Sequence, residues 1–157
     1  MKPLVTMRSA LSRSDLLGSV LPGLSWAVWR VLLIAAMGER LTDNERAIFT
    51  RFTGLQTEPL ERVEELWSII GRRGGKTRAA SVLSVYLSAL CDYHDSLSAG
   101  ERGLCLFLAQ NQRQATIAFE YATAIFGAVP MLAGEITNRT AERLPAAKSR
   151  PPPRPPN

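Results

Sequence analysis

Between Gly71 and Thr77 the chain reads "GRRGGKT", directly after the apolar "LWSII" and directly before an apolar segment of helical period. These residue types suit the holding of a polyphosphate. Gly71, Gly74 and Gly75 lack a Cβ, so the backbone can curl through positive φ and bring its N–H groups close to phosphate oxygens. Where a helix follows, those amides lie at the positive end of its dipole. Lys76 would then bridge the β- and γ-phosphates of ATP, and the Thr77 hydroxyl would take one position on Mg2+, as in a Walker A loop. The pattern GxxxxGK[ST] puts its first glycine at the position of Ile70, so this loop is one residue shorter than the usual form. The competing reading is a glycine-rich turn whose cations are solvated.

Charge supports the first reading locally. The net charge is +5, but Lys148, Arg150 and Arg154 belong to an acid-free stretch over 145–157, and without them about +2 is left. That is weak support for a broad basic face. From Leu66 to Cys91 there is no acidic residue, while Arg72, Arg73, Lys76 and Arg78 fall together. The result is a focused positive spot suited to an anion.

Other residues are less specific. Cys91 and Cys105 have neither CxxC spacing nor a histidine partner, which argues against zinc and against a disulfide framework, and both are expected as reduced, buried thiols. His94, the single histidine, follows Tyr93 in an expected loop and reads as a surface residue. Trp26, Trp29 and Trp67 read as core or helix-packing residues. Asp92, Asp95 and Glu101 read as solvated. Hydrolysis would also need an apolar strand ending in Asp-Glu, and no such run follows Ala109: "IFGAVPMLAGE" is broken by Pro130 and Gly134, and Glu135 has no preceding aspartate. ATP binding is therefore better supported than ATP hydrolysis.

The elements that must position the loop follow from periodicity. Hydrophobic residues make up 46% and charged residues 21%, the balance of a folded globular chain. Residues 1–24, with scattered Ser, Gly and Pro, are expected as a flexible arm with at most a short helix over 15–20. Ser25 is expected to cap a helix over 26–37 that stops at Gly38. Thr42 with Glu45 is a capping-box pattern opening a second helix to about Phe52. "LWSII" and "LCLFLA" are short, apolar and bounded by turns, as buried parallel strands are. Ala79, Val82, Leu83, Tyr86, Leu87 and Leu90 recur at helical spacing after the first, and "QRQATIAFEYATAIFGAV" gives a helix ending near Pro130. Strand, helix, strand, helix predicts an α/β chain: a partial P-loop NTPase fold with a helical N-terminal segment and a short parallel sheet. The "PAAKSRPPPRPPN" of 145–157 is expected as a disordered Pro/Arg-rich tail. The longest apolar run, "WAVWRVLLIAAM", is interrupted by Arg30 and falls short of the roughly 20 residues of a membrane span. With no signal-peptide pattern either, a cytoplasmic protein is expected.

Taken together, "WSIIGRRGGKTRAASVLSVYLSALCDY" and "LSAGERGLCLFLAQNQRQATIAFEYATAIFGAVPMLAGEI" resemble the N-terminal ATPase domain of phage terminase large subunits, the motors that package DNA into capsids. That family uses a deviant Walker A of the form GRRGGK[ST], and has a Gln-Ala pair after its second strand that Gln114 and Ala115 resemble. The resemblance spans about residues 20–143 and marks 25–144 as a partial ATPase domain. It implies nucleotide contacts from Gly71, Arg72, Arg73, Gly74, Gly75, Lys76 and Thr77, with Lys76 on the phosphates and Thr77 on Mg2+. It also implies that Arg72 or Arg73, without deciding which, meets the γ-phosphate, where an arginine facing developing charge accelerates transfer by orders of magnitude. Gln56 in "TGLQTEP" is the available adenine-contacting glutamine, and an exposed turn residue is the equal alternative. Arg113 and Gln114 open the second helix, where DNA approach and simple capping are equal readings. In the full-length family the partners are DNA, a small terminase subunit and the portal protein, inside a bacterial host. The acidic strand and the nuclease carboxylates are not found, which fits a frame truncated or shifted near Leu144. The alternatives are a fragment of another P-loop NTPase, helicase-like or kinase-like, and a non-catalytic interaction module.

Overall fold

Local capping places several helices where the pattern puts them. The computed structural model describes residues 1–98 and 100–134. Along the chain come β1 (Lys2–Pro3), α1 (Met7–Ser12), a 3-10 turn (Leu24–Trp26), α2 (Ala27–Ala36), α3 (Asp43–Thr53), α4 (Lys76–Ala89), β2 (Cys91–Asp92), α5 (Gln112–Ala128) and α6 (Pro130–Ala133). Thr42 and Glu45 form the full reciprocal capping box at the start of α3, and Gly54 ends that helix in the left-handed conformation at φ 76°. Helix α5 is capped by Asn111, whose side chain accepts from the Gln114 amide. Ser25 does not cap α2: the chain enters through the 3-10 turn, and Trp26 stands at the cap position with no side-chain bond.

The expected parallel sheet does not exist. The one sheet among the described residues is a two-stranded antiparallel pair, β1 with β2, with Lys2 opposite Asp92 and Pro3 opposite Cys91. Neither "LWSII" nor "LCLFLA" is a strand: both are irregular and largely exposed, with Trp67 at 87% and Leu108 at 86%. The α/β P-loop fold is therefore replaced by a helical body. The physical reason lies in what covers the apolar faces of α4 and α5. Val82, Val85 and Tyr86 of α4 are fully buried in one cluster with Ile125 and Phe126 of α5, and the Ser81 hydroxyl donates to the Ala118 carbonyl at 2.9 Å. The two helices close on each other and on the N-terminal segment, and two short strands alone would be marginal.

That N-terminal segment is the second correction. Residues 1–24 are not a loose arm: Met7, Ala10, Leu11, Leu16, Leu17, Val20 and Leu21 are all buried. The Tyr86 hydroxyl donates to the Val5 carbonyl at 2.7 Å, and the Leu4 amide donates to the Leu90 carbonyl at 2.9 Å. Polar contacts fix the segment from the other side. Glu39 accepts from the Met7 and Arg8 amides at the start of α1, and Arg8 reaches Glu45 with both terminal nitrogens, at 2.7 and 2.9 Å. The three- and four-residue spacing of Met7, Ala10 and Leu11 and of Leu16, Leu17, Val20 and Leu21 carries this packing. Cys91 is buried, and burial pushes its thiol up to about 11, whereas Cys105 is exposed, contrary to expectation. No helix among the described residues is long and apolar enough to cross a membrane. The Pro/Arg-rich stretch over 145–157 and the end of the proposed 25–144 unit lie outside the described residues.

Candidate anion-binding loop

The loop from Gly71 to Thr77 is a tight bend at the mouth of a fourteen-residue helix. Arg73 has φ 62°, the single non-glycine residue with positive φ among those described, and Gly75 follows at φ 77° as the cap of α4. Two left-handed residues within three positions turn the backbone sharply into the helix. Gly71 and Gly74 are joined by a long bond, the Gly74 amide donating to the Gly71 carbonyl at 3.4 Å. Gly75 is required twice over, since a Cβ there would also lie 2.7 Å from the Trp26 ring.

What holds the bend is a pair of tryptophans from the start of α2. Trp29 donates its indole N–H to the Gly74 carbonyl at 2.8 Å, and the Arg78 guanidinium lies 5.3 Å from the centre of the Trp26 ring. Both tryptophans are half-buried and pack against the core cluster. Their helix-packing role was legible in the sequence. Their position under the loop was not, because 45 residues separate Trp29 from Gly74 and no local pattern links them.

The bend presents donors and positive charge outward. The first backbone bond into α4 is made by the Ala79 amide to the Gly75 carbonyl at 3.0 Å, and among the described residues the amides of Lys76, Thr77 and Arg78 donate to no backbone carbonyl. Free amides in a first helical turn are anion donors. Arg72, Arg73 and Lys76 are exposed, and among the described residues none of them, nor Arg78, forms an ion pair. The Thr77 carbonyl accepts from Ser81 at 2.9 Å, and its hydroxyl has no hydrogen-bond partner among the described residues. The donor set fits a phosphate group: main-chain amides, an ammonium and two guanidiniums with no competing carboxylate bonded to them.

Not every proposed residue is brought to this place. Gln56 is exposed in the bend after α3 and makes no hydrogen bond to the loop. Two residues on, Glu58 accepts from the Leu41 amide at 2.9 Å and from Arg46 with both carboxylate oxygens at 2.9 Å, which anchors this stretch at the start of α3. Among the described residues no three His, Cys, Asp or Glu side chains are grouped to hold a metal ion, so Thr77 is the single side chain at the loop suited to Mg2+. Arg113 and Gln114 open α5 on an exposed face with a shallow depression bounded by Arg113, Thr116, Ile117 and Glu120. His94 is exposed, its amide donating to Asp92 at 2.9 Å.

No protein-family model matches the chain, and neither the curated proteins nor the solved structures contain a significant match.

Proposed function

We propose that the Gly71–Thr77 loop binds the polyphosphate of ATP, and that the chain is the nucleotide-binding part of a phage DNA-packaging terminase large subunit acting in the cytoplasm of a bacterial host. One observation carries the nucleotide reading: the first-turn amides of α4 are without backbone partners, beside a left-handed Gly75 and four cations that form no ion pair among the described residues. The terminase reading rests in addition on the "GRRGGKT" loop and the sequence around it, and not on a parallel sheet. Lys76 neutralises phosphate charge, Arg72 and Arg73 add charge-assisted hydrogen bonds, and Gly71, Gly74 and Gly75 let the backbone approach. Bound Mg2+ supplies neutralisation of the β- and γ-phosphates, and Thr77 offers it a hydroxyl. The chain binds ATP without efficient hydrolysis of its own, a reading supported by the sequence, in which no apolar run ending in Asp-Glu follows Ala109. DNA, a small terminase subunit and a portal protein are the partners this assignment brings.

Nucleotide titration of the full chain tests this. Saturable ATP binding is expected, weakened about tenfold or more by Lys76→Ala. Thr77→Ala should weaken Mg-ATP more than metal-free ATP. Absence of saturable binding, or a Lys76→Ala chain that binds as before, leaves the loop a solvated turn in a helical interaction module.

A further inference from the structure

Residues 64–71 form a strap without regular secondary structure between two anchors on α2. At one end the Val63 amide donates to the Ala36 carbonyl at 2.9 Å, and at the other Trp29 holds the Gly74 carbonyl at 2.8 Å. Between them, among the described residues, no backbone group over 64–70 makes a backbone hydrogen bond. Trp67 and Ile69, two positions apart and so on one face once the strap pairs as a strand, are 87% and 106% exposed. Leu66 and Ile70 then fall on the other face, Leu66 exposed and Ile70 half-buried. An apolar strap with unpaired amides and carbonyls is an open template for another strand.

The charges select the occupant. Glu64 and Glu65 precede the apolar stretch and Arg72 and Arg73 follow it, all four exposed. An antiparallel copy of the same segment therefore meets acid with base at both ends. We infer that the chain forms a two-fold symmetric dimer by antiparallel pairing of this strap with that of a second copy, centred on Ser68. In that register Trp67 lies opposite Ile69 of the second copy and Leu66 opposite its Ile70, which are favourable aromatic–β-branched and apolar pairs. Glu64 lies opposite Arg72 of the second copy, and symmetry repeats each pair, as a self-complementary interface requires. Glu65 now accepts from its own Trp67 indole at 2.8 Å, which leaves Glu64 as the acid available to the partner. The other exposed apolar segment, 104–109, has Glu101 and Arg102 together at one end and no charge before Arg113 at the other, so it specifies no such register.

Sedimentation of the full chain over a concentration series, with cysteine cross-linking, tests the inference. A monomer–dimer equilibrium is expected. Glu64→Arg should raise its dissociation constant about tenfold, and Glu64→Arg combined with Arg72→Glu should restore it. Because Arg72, opposite Glu64 in the dimer, also belongs to the proposed phosphate loop, sedimentation is carried out without nucleotide, where the single substitution reads the dimer alone. In a Cys105→Ser background, Ser68→Cys should form a covalent dimer on mild oxidation, because residues facing each other across the axis have Cα atoms about 4.5–5.5 Å apart. Glu64→Cys in the same background should not, since the offset separates the two copies of residue 64 by about 27 Å. A chain that stays monomeric at millimolar concentration overturns the proposal. So does a dimer indifferent to the charge exchange, or equal cross-linking at positions 64 and 68. The cross-linking result stands even if a charge variant fails to fold.

Discussion

Leu17 and Leu33 are 0% and 1% exposed, while Trp67 and Ile69, no less apolar, are 87% and 106% exposed. The first pair belongs to a helical body in which α1, α2, α4 and α5 share one core cluster. The second belongs to the strap leading into the loop. A helix satisfies its own backbone and needs only one apolar face covered, so a few helices can complete one another. A strand must find both a hydrogen-bonding neighbour and a cover for its side chains. Burial in this chain follows whether the partner element lies within reach, and not hydrophobicity alone.

The sharpest way to break that contrast is to cut into the body. Leu17→Ala should cost about 2–5 kcal/mol, the range for a large apolar side chain lost from a packed core. Denaturant unfolding would measure it. A loss near zero would mean that residues 1–24 are the loose arm their composition suggested, and that the core is confined to the later helices.

The loop itself divides into a packed end and a free end, and two glycines sharpen the distinction. Gly75→Ala combines a left-handed backbone with a Cβ 2.7 Å from the Trp26 ring, and should cost about 1–3 kcal/mol. At Gly71 an added Cβ would meet nothing within 4 Å, and Gly71→Ala should change stability by less than about 0.5 kcal/mol. Equal effects at both positions would show that the tryptophan seat does not hold the bend.

Acid should act on the body through its paired carboxylates. Arg46, followed by the Leu41 amide, holds Glu58 far below its ordinary value of 4.5, and Arg8 holds Glu45 below it. A depressed folded pKa gives stability that is complete above the unfolded value and is lost as pH falls through the folded one. Stability should therefore begin to decline under about pH 4.5 and continue downward. At the onset the decline is smaller than either effect above, and Glu58→Gln should flatten it. An acid limb unchanged by that substitution would remove Glu58 from the account.

Legibility in the sequence follows the same division. The capping box at Thr42, the stop at Gly54, the apolar stripe of α4 and the end of α5 before Pro130 depend on residues within a turn or two of one another, and each stands where the pattern places it. The bend into α4 was legible in Gly75, whereas Gly71 and Gly74 do not have positive φ and the second left-handed residue is Arg73. What failed depended on distant partners. The apolar runs at 66–70 and 104–109 have strand composition, but composition does not report whether a neighbouring strand exists. Ser25 has the right side chain for a cap, yet the 3-10 turn at Leu24–Trp26 sets the helix start instead. In residues 1–24 the scattered glycine and serine hid a helical spacing that was present in Met7, Ala10 and Leu11. The tryptophan seat, Glu39 at the start of α1 and Glu58 at the start of α3 connect residues between 17 and 45 positions apart, beyond any local signal.

The smallest expected effect tests the contrast from its exposed side. In dilute solution, where the chain is monomeric, Trp67→Ala should shift unfolding by less than about 0.5 kcal/mol, because an 87% exposed ring has little packing to lose. Amide exchange should agree with it. The amides over 65–70 have no backbone acceptor among the described residues and should exchange rapidly, while those of Val82, Val85 and Tyr86 inside α4 should be protected to the level of global unfolding. A Trp67→Ala chain destabilised as much as Leu17→Ala, or slow exchange over 65–70, would place the strap inside the folded body. The distinction between satisfied helices and unpaired strap would then disappear, and with it the open edge on which dimer formation depends.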